Sequence, residues 1–242
     1  MAYEIYQFKK LTSTQDKAKE FAKKGLSNIV VVSGTQTKGR GRFKRKWHSS
    51  KNGLWMSILL KPKNTENMQY LTFIAAIAVV KSIKKIANLK TSIKWPNDVH
   101  FNGKKLCGIL TEGDFGKENF AAIGIGLNVN QKKFSKEISD TATSLRMIDG
   151  RKFDKKILMK KIVDEFFYLY VHYYNEGKLR EIIKLWKSRC DTIGKNVHVI
   201  SKTNELIGKA VGIEHDCSLL VKLKNGRVIK IIEGDINVMW DL

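Results

Sequence analysis

Short apolar runs with the length of β-strands, separated by glycine, proline and asparagine, constrain this chain more than any other feature. Residues 28–34 (NIVVVSG) and 54–60 (LWMSILL) have the pattern of buried strands, and Pro62 ends the second. Residues 120–129 form a further strand pattern that is rich in glycine. Because helical patterns lie between these strands, the sequence predicts an α+β fold in which helices pack on a mixed sheet.

The helical patterns are equally clear. Apolar residues recur at helical spacing in four segments, residues 12–25, 68–87, 154–177 and 178–189. Ser13 or Thr14 can cap the first of these helices, and Gly25 can end it in a left-handed conformation. In the middle of the chain, Asn102-Gly103 is a hairpin turn signal, followed by a returning strand over 104–112.

The pattern changes after about Cys190. Four short strands are predicted there, over residues 197–200, 206–213, 218–224 and 228–232. The turns between them fall at Thr203-Asn204, His215-Asp216 and Asn225-Gly226. This spacing is typical of a small antiparallel β-barrel, so we predict an α+β domain over residues 1–189 and a β-domain over 190–242.

The chain carries 45 lysine and arginine residues against 23 aspartate and glutamate residues, a net charge of +22. Such an excess favours nucleic-acid binding. The lysines are spread along the whole chain rather than gathered in one block. The same charge could therefore attract an acidic protein partner or anionic nucleotides, and composition leaves these alternatives open.

Other bulk features exclude several classes of protein. Cys107, Cys190 and Cys217 lie far apart and the histidines have no ligand spacing, so neither a disulfide framework nor a metal cluster is expected. No apolar run reaches transmembrane length, and residues 1–10 lack the apolar core of a secretion signal. We therefore expect a cytoplasmic protein without a membrane partner.

The segment over residues 36–47 concentrates cations around glycine. Five cations fall within residues 40–46, and Gly39 and Gly41 allow the backbone to approach a ligand closely. Guanidinium groups suit the paired oxygens of phosphate and carboxylate. Gly-Arg dipeptides also occur in RNA-binding segments, so the pattern indicates either a small anion or a nucleic acid.

The string KWPND at residues 94–98 is more specific. Trp95 precedes a proline, which favours an extended entry into the turn. Asn97 and Asp98 place an amide beside a carboxylate, a pair that could hold Mg²⁺ or orient a triphosphate. The alternative is a tight turn in which both side chains only bond the backbone.

The string GIGLNVN at residues 124–130 superficially resembles a dinucleotide fingerprint. Its third glycine is missing and no capped helix follows, so a buried strand with closely packed glycines is the better interpretation. Asn128 offers both a donor and an acceptor, which suits the edge of an adenine.

Taken in order, these segments resemble the catalytic domain of biotin protein ligases. The resemblance covers nearly the whole chain from Thr12 onward. It rests on Ser13-Thr14-Gln15, Gln36 with GRGR at 39–42 and Trp47, KWPND at 94–98, Lys105 in KKLCGIL, GIGLNVN at 124–130, and the C-terminal strings at 212–221 and 234–236. Gln15 replaces the family's asparagine, a change that we expect to matter little because Ser13 and Thr14 are the hydroxyls implicated.

The resemblance implies a class II synthetase-like catalytic domain followed by an SH3-like β-barrel. It also implies an ATP-dependent enzyme that converts biotin to biotinyl-5'-AMP and transfers the biotin to a lysine of a biotin carboxyl carrier protein domain. ATP and biotin would be substrates, with Mg²⁺ as cofactor. Only eleven residues precede Thr12, so we expect the ligase-only type without an N-terminal helix-turn-helix, and hence no specific nucleic-acid partner. A homodimer is expected because related proteins often dimerise.

The resemblance assigns roles residue by residue. Biotin would contact Ser13, Thr14, Gln36, Gly39, Arg40, Lys105 and Gly108. ATP would contact Arg42, Trp47, Lys94, Asn97, Asp98 and Asn128, with Asp98 as a Mg²⁺ ligand. Lys105, Arg42 and Arg40 would be the catalytic cations. Two rivals remain, a lipoate protein ligase of the same fold and a basic nucleic-acid-binding protein. The KWPND and GRGR strings speak against the first, and the second leaves KWPND and the ordered set of motifs unexplained.

Overall fold

A mixed sheet supports the N-terminal part of the chain in the computed structural model, which describes residues 1–62, 65–114, 116, 119–200 and 205–239. Within these residues the sheet has seven strands in the order β1-β2-β3-β7-β6-β5-β4. They are β1 (Glu4–Phe8), β2 (Ile29–Ser33), β3 (Leu54–Leu60), β4 (Ser92–Lys94), β5 (Asp98–Phe101), β6 (Lys104–Asp114) and β7 (Phe120–Leu127). The β1–β2 pair is parallel and the other pairs are antiparallel.

Helices cover both faces of this sheet. They are α1 (Thr14–Lys23), α2 (Gln69–Ala87), α3 (Leu145–Asp149), α4 (Lys155–Leu169) and α5 (Leu179–Lys187). A short 3-10 turn at Arg42–Lys44 and a π-helical turn at Tyr170–Tyr174 complete the described helical segments. None of the described helices is long and apolar enough to cross a membrane.

Alternation along β2 shows how the two faces are covered. Val30 belongs to the large core that includes α2, α4 and α5, whereas Ile29 and Val31 belong to a smaller cluster with α1. Successive strand residues point to opposite faces, so an uninterrupted apolar run is what a strand buried on both faces requires. The α+β class with a mixed sheet is thus confirmed.

Local signals place most element boundaries well. Ser13 caps α1 by accepting a hydrogen bond from the Gln15 amide, and Gly25 has φ +75° just beyond the helix. Asn102 and Gly103 both have positive φ in the hairpin between β5 and β6. Two elements, β1 and α3, were not predicted from the sequence. The pairing partner of β1 is β2, which lies beyond a whole helix, and α3 is a single capped turn.

Five antiparallel strands form the described C-terminal sheet, in the order β11-β10-β9-β8-β12. They are β8 (Asn196–Ile200), β9 (Glu205–Ile213), β10 (Leu219–Lys222), β11 (Val228–Ile231) and β12 (Asp235–Met239). Four of them were predicted, and β12 was missed as a strand. The predicted turn at Thr203-Asn204 lies outside the described residues. The C-terminal antiparallel β-module is therefore confirmed.

Main-chain hydrogen bonds join β4 to the segment that leads into the C-terminal sheet. The Ile93 amide donates to the Arg189 carbonyl at 2.7 Å, and the Asp191 amide donates to the Ile93 carbonyl at 3.1 Å. These bonds place the chain leading to the C-terminal sheet directly beside the KWPND segment. As a result the start of β12 reaches the cavity described next.

Candidate functional site

A cavity of about 400 Å³ opens over β3, β6 and β7. Its walls come from the start of α1, the loop over residues 36–48, the turn before β5 and Asp235 of β12. It brings together most of the residues that the sequence singled out, namely Ser13, Thr14, Gln36, Arg40, Arg42, Trp47, Lys94, Asn97, Asp98, Lys105, Gly108 and Asn128. Segments separated by more than a hundred positions thus share one site.

Hydroxyl and amide groups at the start of α1 build one part of the wall. The Thr14 amide and hydroxyl both donate to Gln36 Oε1, at 2.7 and 3.1 Å. Ser57 on β3 donates to the Thr14 hydroxyl at 2.8 Å, and Gln36 Nε2 donates to Ser49 Oγ at 2.8 Å. Because each group has a defined partner, the direction in which its remaining donor or acceptor points is also fixed.

Gly39 lies behind this wall rather than in it. A Cβ atom at Gly39 would come within 2.5 Å of Ser49 Oγ and 2.7 Å of the Trp47 carbonyl. Such distances are far below normal contact, so only glycine lets the loop fold back on itself here. Gly39 therefore shapes the site through the residues that it allows to approach.

Gln15 has more contacts than its expected minor role suggested. It is buried in the wall, and its Nε2 lies within 3.2 Å of the Leu110 carbonyl, the Ala122 carbonyl and Glu112 Oε2. Its side chain also lies against Gly124, where an added Cβ would come within 3.0 Å of it. Gln15 thereby joins α1 to β6 and β7 beneath the cavity.

Arg40 is engaged from two sides. Its guanidinium bonds Glu112 through Nη2 at 2.9 Å and Nε at 3.3 Å, and it lies 2.7 Å from Asp16 on α1. Burial raises the pKa of Glu112, but the hydrogen bonds and charge of Arg40, with help from Lys19, outweigh it and hold that pKa below its ordinary value. The first half of the loop is therefore tied to α1 and β6.

The Trp47 indole packs closely against two glycines of the sheet. A Cβ at Gly126 would be 2.4 Å from the indole Nε1, and one at Gly108 would be 3.1 Å from the ring. The Lys105 ammonium lies over the indole, 5.3 Å from its centroid. Gly108 and Gly126 thus make room for an aromatic side chain from the loop. This contact explains why glycine is required at both positions better than close packing of the strands does.

Lys105 and Asp98 form the central ion pair of the cavity. Lys105 Nζ lies 2.6 Å from Asp98 Oδ2. Asp98 Oδ1 is buried and has no hydrogen-bond partner within the described residues. His100, also buried, lies 4.0 Å from Asp98, and burial lowers its pKa to about 4, so it is neutral at pH 7.

Arg42 reaches from the loop to the turn and to the C-terminal sheet. Its Nη1 donates to the Gly234 carbonyl at 3.2 Å and lies 3.4 Å from Asn97 Oδ1. Asn97 is held in turn by its own donation to the Ile109 carbonyl at 2.7 Å. Arg45 forms an ion pair with Asp235 at the start of β12. The C-terminal sheet therefore forms part of the site.

The electrostatic balance of the cavity strongly favours anions. Among the described lining residues, six lysines and arginines face two carboxylates, those of Asp98 and Asp235. Burial lowers the pKa of Lys94 and of Arg42, which is the sign expected where cations are desolvated and crowded. Bringing anionic groups into this cavity relieves that cost, so the site suits a carboxylate, a polyphosphate or both together.

Several residues of the site were not among those that the sequence analysis assigned to a ligand. These are Gln15, Arg45, His100 and Asp235 in the wall, and Glu112 behind it. Arg45 belongs to the cation-rich loop and could have been included on that ground. Glu112 stands out as an acid at the end of an otherwise apolar strand pattern, but its partner Arg40 is 72 positions away.

Comparison with known proteins agrees with this architecture. Residues 5–130 match the Biotin/lipoate A/B protein ligase family, and residues 192–239 match the Biotin protein ligase C terminal domain. The bifunctional ligase/repressor BirA of Bacillus subtilis is 40% identical over 235 residues, covering 94% of this chain and 72% of that protein. The biotin--[acetyl-CoA-carboxylase] ligase of Mycobacterium tuberculosis is 27% identical and covers 87% of this chain and 79% of its own length.

Among solved structures, the biotin protein ligase from Aquifex aeolicus in complex with biotin and ATP superposes with a TM-score of 0.87. It is 31% identical, and the match covers 98% of this chain and 99% of that one. The similarity therefore extends through both sheets and includes the cavity.

Proposed function

Because the chain belongs to the biotin/lipoate A/B protein ligase family, we propose that it activates biotin with ATP and transfers it to a lysine of a carrier protein. One observation carries this proposal. A single cavity combines a polar wall, a cation cluster around Lys105 and Arg42, and a buried carboxamide at Asn128. Such a cavity can hold an acid and a nucleotide together, which is the requirement for making an acyl adenylate.

The wall at the start of α1 is the proposed biotin end. A ureido ring needs both donors and acceptors, and Ser13, Thr14 and Gln36 supply them from positions that their own hydrogen bonds fix. Gly108 lets the Trp47 indole lie close to β6, and the apolar part of biotin would pack beside that ring. Arg40 would act there mainly by holding the loop, because its guanidinium is already committed to Glu112 and Asp16.

The proposed nucleotide end comprises Lys94, Asn97, Asp98 and Asn128, with Trp47 against the sheet. In the first step a biotin carboxylate oxygen attacks the α-phosphorus, the bond from that phosphorus to the bridging oxygen breaks, and pyrophosphate leaves. Two anions must approach each other for this to occur. Lys105 and Arg42 lower that electrostatic barrier because their cations are already in place.

In the second step a lysine amine of the acceptor attacks the carbonyl carbon of the mixed anhydride. The bond between that carbon and the phosphate oxygen breaks, AMP leaves, and the amine loses a proton as the amide forms. No covalent enzyme intermediate is required. A biotin carboxyl carrier protein domain is the proposed acceptor, and the positive charge of this chain favours an acidic partner.

The residues present fit a Mg²⁺ ion that arrives with the nucleotide. The described residues include no cluster of three or more histidine, cysteine, aspartate or glutamate side chains placed to hold a metal by themselves. Asp98 Oδ1 is nevertheless a buried oxygen that lacks a partner in the described structure. Mg²⁺ commonly binds one carboxylate plus phosphates and water, and it would supply further charge neutralisation on pyrophosphate.

The proposed function is tested by pyrophosphate exchange into ATP. We expect exchange that depends on biotin, followed by AMP release and biotin incorporation when a carrier domain is added. Repeating the assay with lipoate in place of biotin distinguishes biotin ligation from lipoate ligation. Exchange with lipoate alone would transfer the assignment to lipoate ligation, and exchange with neither acid would overturn adenylation.

A further inference from the structure

Asn128 and Gln131 are neighbouring carboxamides that are both almost completely buried at the edge of the cavity. Their exposed fractions are 4% and 5%. The Val129 amide donates to Gln131 Oε1 at 2.8 Å, and Gln131 Nε2 donates to Asn128 Oδ1 at 3.1 Å. Asn128 lines the cavity, whereas Gln131 lies behind it.

The backbone amide of Val129 sets the direction of this whole chain of hydrogen bonds. A main-chain N–H can only donate, so the Gln131 atom that it meets must be the oxygen. The other end of the Gln131 amide is then nitrogen, which can also only donate. Asn128 must therefore turn its oxygen towards Gln131, and its Nδ2 is the amide atom left for the cavity.

The main chain at both residues is also fixed. The Asn128 amide donates to the Leu106 carbonyl at 2.9 Å, and the Asn128 carbonyl accepts from the Leu145 amide at 3.2 Å. The Ser144 hydroxyl donates to the Gln131 carbonyl at 2.7 Å. These main-chain bonds hold the two side chains next to each other, so the orientation of the Asn128 amide depends on which group Gln131 turns towards it.

We propose that Gln131 is a positioning residue that makes Asn128 a hydrogen-bond donor to a ring nitrogen of the purine. This inference rests on the proposed adenylation site and deepens it. A carboxamide could present either a donor or an acceptor, and the two ends have nearly the same shape. Gln131 makes the choice, so recognition of the base depends on a residue that does not contact it.

The test replaces Gln131 by a group of the same shape that cannot donate. In Gln131→Glu the carboxylate still accepts from the Val129 amide, but it repels Asn128 Oδ1 and attracts Nδ2. Asn128 should then rotate and present its oxygen to the base. We would measure the binding of ATP, 1-deaza-ATP, 3-deaza-ATP and 7-deaza-ATP by calorimetry, with biotin binding measured in parallel.

For the wild-type protein we expect one deaza analogue to bind about 3-fold to 10-fold more weakly than ATP, the scale of one neutral hydrogen bond. In Gln131→Glu that difference should vanish, because ATP itself binds more weakly while the biotin affinity stays the same. An unchanged preference among the four nucleotides in Gln131→Glu would overturn the proposal. So would a wild-type protein that binds all four equally, or that does not bind ATP.

Asn130→Asp provides the matched control. Asn130 is a buried carboxamide two positions from Asn128, and it bonds the Phe153 main chain through both ends. Its substitution should lower the melting temperature and leave the preference among nucleotides intact. The two proposals can fail independently. If the wild-type protein shows no biotin-dependent pyrophosphate exchange, the proposed function fails, whereas the role of Gln131 is judged by nucleotide binding, which is measured without that reaction.

Discussion

The indole N–H of Trp95 donates to the main-chain carbonyl of Cys217 at 2.9 Å, across the junction between the two sheets. Trp95 is 2% exposed, and its own main-chain amide donates to the Thr192 hydroxyl oxygen at 3.0 Å. The tryptophan of KWPND therefore points towards the C-terminal sheet. The string at the proposed nucleotide end therefore also holds the C-terminal sheet that carries Gly234 and Asp235.

Replacing Trp95 by phenylalanine tests this link. The ring remains large, but the Cys217 carbonyl loses its donor in a buried place, which should destabilise the protein by about 1–3 kcal/mol. We expect ATP affinity to fall and biotin affinity to stay the same. The reason is that a displaced C-terminal sheet would move Gly234 away from Arg42 and Asp235 away from Arg45. Calorimetric titration with each substrate and thermal unfolding measure the two effects.

Trp186→Phe is the appropriate comparison for that variant. Trp186 is fully buried, and its indole nitrogen has no partner within the described residues. Its replacement should change stability through packing alone. Equal loss of ATP affinity in both variants would mean that Trp95 acts only through general stability.

Lys105→Ala should slow adenylate formation by roughly two to three orders of magnitude, the usual cost of losing one such preorganised group. The substitution removes the cation nearest to Asp98 and leaves that carboxylate with an unbalanced charge. Rapid-quench measurement of a single turnover reports the chemical step directly. Lys104→Ala is the control, because Lys104 is exposed and outside the cavity wall. A wild-type rate in Lys105→Ala would remove this residue from the mechanism.

Arg42→Gly should still make adenylate, because Lys105 remains in place, but should release it prematurely. Arg42 is the loop cation that contacts both Asn97 and Gly234, so it is placed to retain an anion beneath the loop. Loss of one charge-assisted hydrogen bond weakens retention by about 1.5–3 kcal/mol, or tenfold and more in escape rate. The variant should label an unrelated lysine-rich protein, as detected by blotting for biotin. Lys38→Gly, an exposed cation of the same loop, should not.

Glu112→Gln should loosen the anchored half of the loop. The amide keeps the shape but removes the charge that pairs with Arg40 and Lys19. We expect the KM for biotin to rise several-fold with kcat little changed, because Arg40 remains bonded to Asp16. A fall in kcat with an unchanged KM would contradict this anchoring role.

The same carboxylate predicts a pH dependence of stability. The pKa of Glu112 in the folded protein lies below its ordinary value, so the ionised form stabilises the folded state. This contribution is complete above the unfolded pKa of about 4.3 and is lost as pH falls through the lower folded value. Thermal unfolding of wild type and Glu112→Gln should therefore converge in acid. A difference that persists at low pH would indicate another cause.

Much of the fold follows from local sequence patterns. The apolar runs of β2 and β3, the cap at Ser13 and the Asn102-Gly103 turn each determine structure through neighbours within a few positions. The strands β1 and β12 lack such local signals. Each is defined by a partner strand elsewhere in the chain, and pairing of that kind appears only when the sheet is assembled.

The site divides in the same way. The loop cations, KWPND and Asn128 could be chosen from the sequence because phosphate, carboxylate and base recognition each require particular residue types. Glu112 and Asp235 could not, since their partners Arg40 and Arg45 lie 72 and 190 positions away. A sequence does not show which distant charges meet, because that depends on how the strands are ordered.

For Asn128, the contributions of the sequence and of the tertiary structure can be separated within a single residue. The sequence alone determines that a carboxamide stands after β7, and hence that a donor and an acceptor are both available. Only the tertiary structure decides that the donor faces the cavity. The two ends of the amide are nearly identical in shape, so their orientation depends on an obligatory donor, the Val129 N–H, acting through Gln131.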